Sequence, residues 1–249
     1  METNNYNPFS LNGKTILVTG ASAGIGRSIA QACSRMGAHV VLTGRNEERL
    51  FKTLSECVGN GHLVVSADLS DSKQIEKLAS ETPQLDGVVY CAGIGHRMPC
   101  KMLTADMVDE VIGVNFKSNV LLQSALLSTK KIQKRASLVF IASRAAFSPS
   151  IGNALYSASK GALVSYAKCL ALEMAPRLIR VNCVCPAMVW TELIYKGGLT
   201  KEYLEEAQLK YPLKRFGKPE DVANLAIYLL SDAAAWMTGS CIDLTGGGE

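Results

Sequence analysis

The chain has little of what marks several large classes of protein. Its 249 residues include three histidines and two tryptophans, and 19% are charged. No apolar run approaches the roughly 20 residues that a bilayer-spanning helix needs, and Met1 to Ser10 is polar, without the hydrophobic segment of a signal peptide. A cytoplasmic protein without a membrane partner is therefore expected. There is no long basic run: the net charge is +4, with one local cluster at Lys130, Lys131, Lys134 and Arg135, and nucleic acid is not expected as a partner. The eight cysteines contain no Cys-x-x-Cys, so no metal site is expected. Cys183-x-Cys185 falls in an expected strand whose alternation would put both on one face, and the cysteines read as small, reduced, mostly buried residues. No histidine stands near a second catalytic group, and neither linker nor repeat is visible.

What is present is a core: 48% of residues are hydrophobic, enough for one large α/β domain over residues 1–249 behind a polar extension, 1–10. Short aliphatic or β-branched runs alternate with longer amphipathic ones, the βαβ pattern of a parallel sheet with helices on both faces. Seven strands are expected, at Thr15–Thr19, His39–Thr43, Leu63–Ser66, Gly87–Tyr90, Ser137–Ala142, Arg180–Val184 and Ser240–Leu244. Helices are expected from near Gly24, Asn46, Asp71, Thr104, Asn153 and Pro219, with Asp71 as an N-cap and Pro219, Glu220 and Asp221 suiting a first turn. A further pair of helices is expected between Thr191 and Tyr211, and the irregular stretch 190–211 is expected to be a substrate lid.

Two stretches carry chemistry. In Thr19-Gly20-Ala21-Ser22-Ala23-Gly24-Ile25-Gly26 a strand ends, glycines follow and a helix begins, so that backbone N–H groups and the helix dipole can meet a pyrophosphate. The spacing is Gly-x-x-x-Gly-x-Gly rather than Gly-x-Gly-x-x-Gly. The second strand ends Thr43-Gly44-Arg45-Asn46 with no carboxylate for a ribose 2′-hydroxyl, and Arg45 suits a 2′-phosphate, so NADP(H) is expected in preference to NAD(H). Asp68, followed by Leu69, either accepts from an adenine amino group or caps its own turn, and Cys91-Ala92-Gly93 lets backbone approach a ribose closely. Farther on, Tyr156 and Lys160 stand four apart on an expected helix, so the ammonium shares a face with the phenol and can favour its ionised form.

As a whole, from Leu11 onward, the chain resembles the short-chain dehydrogenases/reductases. The resemblance rests on the Thr19–Gly26 turn, Cys91-Ala92-Gly93, Asn115, Ser143 thirteen residues before Tyr156, Tyr156-x-x-x-Lys160, Pro186 to Thr191, and Thr245-Gly246-Gly247. It implies a doubly wound Rossmann fold and hydride transfer between a nicotinamide and a carbonyl or alcohol carbon. In that scheme Tyr156 handles the proton, Ser143 steadies the oxygen, Lys160 also binds the nicotinamide ribose, and Asn115 holds a proton-relaying water. Cofactor contacts are implied at Gly20, Ser22, Ala23, Gly24, Ile25, Gly26, Arg45, Asp68, Leu69, Cys91, Ala92, Gly93, Asn115, Tyr156, Lys160, Pro186, Met188, Val189 and Thr191. Two positions depart from the pattern: Cys91 stands where asparagine is common, and Ala187 replaces a glycine.

Substrate walls are expected from His96, Arg97 and Met98, from Ala145 to Ile151, and from Met188, Trp190, Ile194, Tyr195 and Tyr203, with Arg97 a candidate anion partner. Within the family the look is that of 3-oxoacyl-[acyl-carrier-protein] reductases, through Ser143, Tyr156-Ser157-Ala158-Ser159-Lys160 and the segment from Pro212 to Asp221. Lys134 and Arg177 fall where such reductases dock their acidic carrier. The expected substrate is therefore a small-molecule or carrier-bound carbonyl, with reductases of sugar, polyketide or steroid-like ketones, or a non-catalytic NADP-binding scaffold, as alternatives. The family's assembly implies a homotetramer or homodimer, joined through the helices carrying Asn115 and Tyr156.

Overall fold

A computed structural model describes residues 7–95, 97–195 and 200–248. Seven parallel strands form one sheet in the order β3-β2-β1-β4-β5-β6-β7. They are β1 (Thr15–Thr19), β2 (His39–Gly44), β3 (Leu63–Ser66), β4 (Leu85–Tyr90), β5 (Ile132–Ile141), β6 (Arg180–Pro186) and β7 (Cys241–Leu244). Strand alternation sends Ile16 and Val18 to one face and Leu17 to the other. The first face is covered by α1 (Gly24–Arg35), α2 (Glu47–Ser55) and α9 (Pro219–Leu230), and the second by α3 (Ser72–Glu81), α5 (Ser118–Ser128) and α6 (Ala154–Met174). The doubly wound α/β Rossmann architecture read from the alternation is the one observed.

Several expected boundaries hold for local reasons. Asn46 caps α2 by accepting from the Arg49 N–H at 2.8 Å, and Asp71 caps α3 by accepting from Lys73 at 2.9 Å. Pro219 occupies the first turn of α9, with Asp221 accepting from the Lys218 N–H at 2.7 Å. β5 begins five residues earlier than expected. Its entry pairs Leu85 with Ile132 and then shifts register, so that Gly87 meets Ser137, and Arg135 takes a left-handed φ of +65° in the bulge. Lys134 thus lies inside β5 rather than before it, and Arg177 is half-buried and donates to the Ile132 carbonyl.

The start of the chain is less detached than a polar extension implies. Pro8 accepts from the Ala233 N–H at 2.9 Å and Leu11 is fully buried, whereas residues 1–6 lie outside the described residues. The late segment contains α7 (Glu192–Tyr195) and α8 (Lys201–Gln208), with 196–199 outside the described residues. No helix among the described residues is long and apolar enough to cross a membrane.

Strand order reverses between β1 and β4. The chain winds outward from β1 to β3 and then returns to the other side of β1, and parallel sheets of this kind hold ligands in the crevice at the carboxyl ends of those strands.

Candidate active site

At that crevice lies a cleft of about 660 Å³, lined along its length by the ends of β1, β2, β4, β5 and β6. Every residue expected to contact cofactor or reacting atoms borders it except Asn115.

The β1 end is built from backbone. Gly20 has φ +67°, and a β-carbon there would lie 3.1 Å from the Ala92 backbone, while one on Gly26 would overlap the Gly20 carbonyl oxygen. The turn can therefore bring its N–H groups against a ligand only without side chains at these points. Thr19, fully buried, accepts at Oγ1 from the N–H groups of Cys91 (2.9 Å) and Ala92 (3.0 Å), tying the β1 turn to the loop after β4. Sequence reasoning missed this role, since a buried threonine at a strand end looks like any β-branched core residue. Burial pushes the Cys91 thiol up to about 12, so at neutral pH it is a neutral packing group in the position where asparagine is common.

Asn115 sits in a single π turn, Gly113–Lys117, between α4 (Ala105–Ile112) and α5. It is fully buried. Its Oδ1 accepts from the Ile94 N–H at 2.7 Å, and its Nδ2 donates to the Ile94 carbonyl and to Ser159 Oγ, each at 3.0 Å. Its own carbonyl accepts from Asn119 Nδ2 at 2.8 Å. The side chain therefore fixes the loop after Gly93 to the helix carrying Tyr156, and does not border the cleft as its expected contact with cofactor required. Ser159, absent from the expected set, completes the link by donating to the Tyr156 carbonyl at 2.7 Å.

Lys160 is almost wholly buried, its Nζ donating to the Ile141 carbonyl at 2.8 Å and lying 5.8 Å from the centre of the Tyr156 ring. Ser143 follows β5, and its Oγ accepts from the Ala145 N–H at 3.1 Å, which holds the hydroxyl at the cleft wall. Tyr156 and Lys160 of α6 and Ser143 after β5 thus line the same cleft.

Charge in the cleft is uneven. Arg45, Arg49, Arg97, Arg144 and Lys160 line it against Asp68 and Glu192. Arg144 is paired with Asp243 at 3.0 Å, and Arg49 with Glu192 at 3.3 Å. Asp68 spends Oδ1 on the N–H and hydroxyl of Ser70, the turn-capping role that the sequence left as one of two options. Arg49 was not anticipated, although it stands four residues after Arg45, in the first turn of α2.

The expected substrate wall is partly redistributed. Arg97, Ala145, Ser148, Ser150, Met188 and Ile194 border the cleft, joined by Leu193, Asn153 and Tyr211. Met98, Trp190, Tyr195 and Tyr203 do not border it. Trp190 instead packs at a tilt with its ring centre 5.3 Å from that of Phe216 and donates to Gln208 at 3.2 Å, within a small core around Ile194, Leu204 and Phe216. A half-buried indole needs both packing and an acceptor, and that core supplies them. His96 lies outside the described residues. Among the described residues, no three His, Cys, Asp or Glu side chains are grouped to hold a metal ion.

A glycine turn at the first strand end, sharing one cleft with a tyrosine, a lysine and a serine, defines a dinucleotide-binding oxidoreductase. The family described as enoyl-(acyl carrier protein) reductase matches residues 20–248. A 3-oxoacyl-[acyl-carrier-protein] reductase FabG of Rickettsia felis is 35% identical over 237 residues, covering 95% of this chain and 97% of the relative. Among solved structures, a candidate NAD(P)-dependent gluconate 5-dehydrogenase from Beutenbergia cavernae, with NADP bound at low occupancy, has a TM-score of 0.87 at 33% identity, covering 97% of this chain and 98% of that one. A dehydrogenase/reductase from Sinorhizobium meliloti has a TM-score of 0.88 at 34% identity, covering 96% of each. The chain belongs to the short-chain dehydrogenase/reductase family and is an oxidoreductase.

Proposed function

We propose that the protein uses NADPH to reduce a ketone to a secondary alcohol, with a 3-oxoacyl thioester, free or on an acyl carrier protein, as the substrate. The observation that carries the reading is that one cleft is lined both by Tyr156, Lys160 and Ser143 and by Gly20, Gly24 and Gly26 of the turn, with arginine instead of a carboxylate at the end of β2. The residues present fit a dinucleotide: the Gly20 and Gly26 positions leave room for backbone approach, and the cationic excess suits its phosphates. Gly24 to Gly26 at the start of α1 would meet the pyrophosphate, Arg45 the 2′-phosphate, and Lys160 the nicotinamide ribose. The bound dinucleotide supplies the hydride.

The remaining work falls to the chain. Tyr156 donates its phenolic proton to the carbonyl oxygen as charge develops there, and Ser143 steadies that oxygen with a hydrogen bond. Lys160, held by the Ile141 carbonyl, keeps a positive charge beside the phenol and offsets the negative charge left after proton transfer. Asn115 acts as a positioning residue, fixing the loop after Gly93 against the helix that carries Tyr156. The described residues 190–195 and 200–211 belong to the lid, and the chain assembles as a homotetramer or homodimer through the helices carrying Asn115 and Tyr156.

A second reading, a sugar-type ketone, is favoured by the polar substrate side, where Arg97, Ser148, Ser150 and Asn153 line the cleft, and by the candidate gluconate dehydrogenase among its structural neighbours. The two are separated by following NADPH consumption with acetoacetyl thioesters, with and without carrier protein, against free ketones and keto-sugars. No thioester turnover sinks the first reading. In either case Tyr156→Phe is expected to lower kcat by about a hundredfold to ten-thousandfold, the range for a lost general acid.

A further inference from the structure

The thiols of the last two strands are not used by this chemistry. Cys183 on β6 and Cys241 on β7 are register partners in the parallel ladder. Residues so paired project to the same face, and here Cys183 is buried in the core beneath α6 while Cys241 packs against the same core from a half-buried position. Adjacent strands bring paired Cα atoms to about 4.8 Å, within the 4.4–6.8 Å span that a disulfide bridges. The pairing therefore places the two thiols side by side on one face of the sheet. Among the described residues this face holds no metal-ligating group of three, although Cys185 lies close by.

We propose that Cys183 and Cys241 form a peroxide-responsive dithiol that closes to a disulfide between β6 and β7. Cys241 is the attacking sulfur: it is the half-buried member of the pair and Cys183 the buried one, and the neighbouring Cys183 and the charge of Lys168 hold its thiol down at about 7, while Cys241 beside it and burial push Cys183 up. The Cys241 thiolate attacks one oxygen of hydrogen peroxide, the O–O bond breaks, hydroxide leaves, and Cys241 becomes a sulfenic acid. The Cys183 sulfur then attacks the Cys241 sulfur; its proton joins the departing hydroxyl as water. In sum, two thiols and one hydrogen peroxide give one disulfide and two waters, with two electrons passing from the sulfurs to the peroxide. The neighbouring thiol is poorly placed to compete, since burial pushes Cys185 up to about 12.

The bridge would be felt at the active site through a short path. Two residues beyond Cys241, Asp243 accepts from Arg144 at 3.0 Å, and Arg144 directly follows Ser143 in the cleft wall.

The test treats the full-length protein with hydrogen peroxide, blocks the remaining thiols under denaturing conditions, and maps linked peptides by mass spectrometry without reduction. The expected product is one Cys183–Cys241 link per chain, removed by dithiothreitol. In Cys183→Ala, Cys241 is expected instead to accumulate as a sulfenic acid that dimedone traps. Oxidation confined to the exposed Cys100 and Cys169 overturns the proposal, and so does a wild-type protein in which Cys241 is oxidised without pairing. The wild-type map decides the matter even if the variant fails to fold.

Discussion

The two sides of the cleft are built from different materials. On the β1–β4 side the surface is backbone: a glycine turn pressed against Ala92, a threonine hydroxyl bridging two N–H groups, and an amide locking the next loop. Beyond β6, in residues 188–195 and 200–217, it is side chain: a small aromatic core of its own, closed by the Val189–Gly217 bridge and joined to the body by the Arg49–Glu192 ion pair and the Arg215–Asp221 fork. A backbone surface is rigid and suits a ligand that never changes. A side-chain surface can be altered one residue at a time, so substrate choice is the property that it can vary.

That contrast can be broken most directly by one methyl group. Gly26→Ala puts a β-carbon into the Gly20 carbonyl oxygen, and loss of dinucleotide binding, read by fluorescence titration, is expected because the whole turn must shift. Retained binding would show that the first side is softer than its packing implies. Next in size, Arg45→Gln removes one charged hydrogen bond, worth about 1.5–3 kcal/mol, so the NADPH KM should rise by roughly ten- to a hundredfold with the NADH KM little changed. An equal rise for both would place Arg45 outside the 2′-phosphate site.

On the second side the effects should be smaller. Arg215 beside Asp221 holds that carboxyl below its usual range. A depressed carboxylate stabilises the fold above its unfolded pKa and loses that contribution as pH falls through the folded value. Asp221→Asn should therefore lower stability by about 0.5–1 kcal/mol at pH 7, after discounting for its exposure, with the gap between variant and wild-type melting curves closing in acid. A gap that persists in acid would mean that the ion pair is not its source. Smallest of all, Glu192→Gln cuts an exposed link between the two sides, worth about 0.2–1 kcal/mol, and should raise the NADPH dissociation rate less than about sixfold. No change even at low salt would make the pair incidental.

The same division explains what could be read from sequence. The β1 turn was legible because its glycines are required by backbone geometry, and Tyr156 with Lys160 because four residues on a helix fix a shared face. The start of β5 was not, since Gln133, Lys134 and Arg135 look like a loop and only the register shift with β4 accommodates them. The free cysteines are also less buried than composition suggests: Cys33, Cys183 and Cys185 are buried, but Cys100 and Cys169 are exposed. Position after β6 alone puts Trp190 and Tyr203 in the cavity wall. The structure gives one to the small core and the other to solvent, a choice made by tertiary packing that no local pattern encodes.

The π turn at Asn115 has a mechanical meaning for the helix pair it joins. An α-helix advances about 100° per residue, so the extra residue of a π turn resets the phase between α4 and α5. Val111 and Leu122 are both buried across that break, and each half of the helix is thereby clocked to its own packing partner. Removing one residue there would restore regular winding and turn Leu122 and Leu126 away from the sheet, so the amide that locks the Ile94 loop also sets the angular timing of the helix behind it.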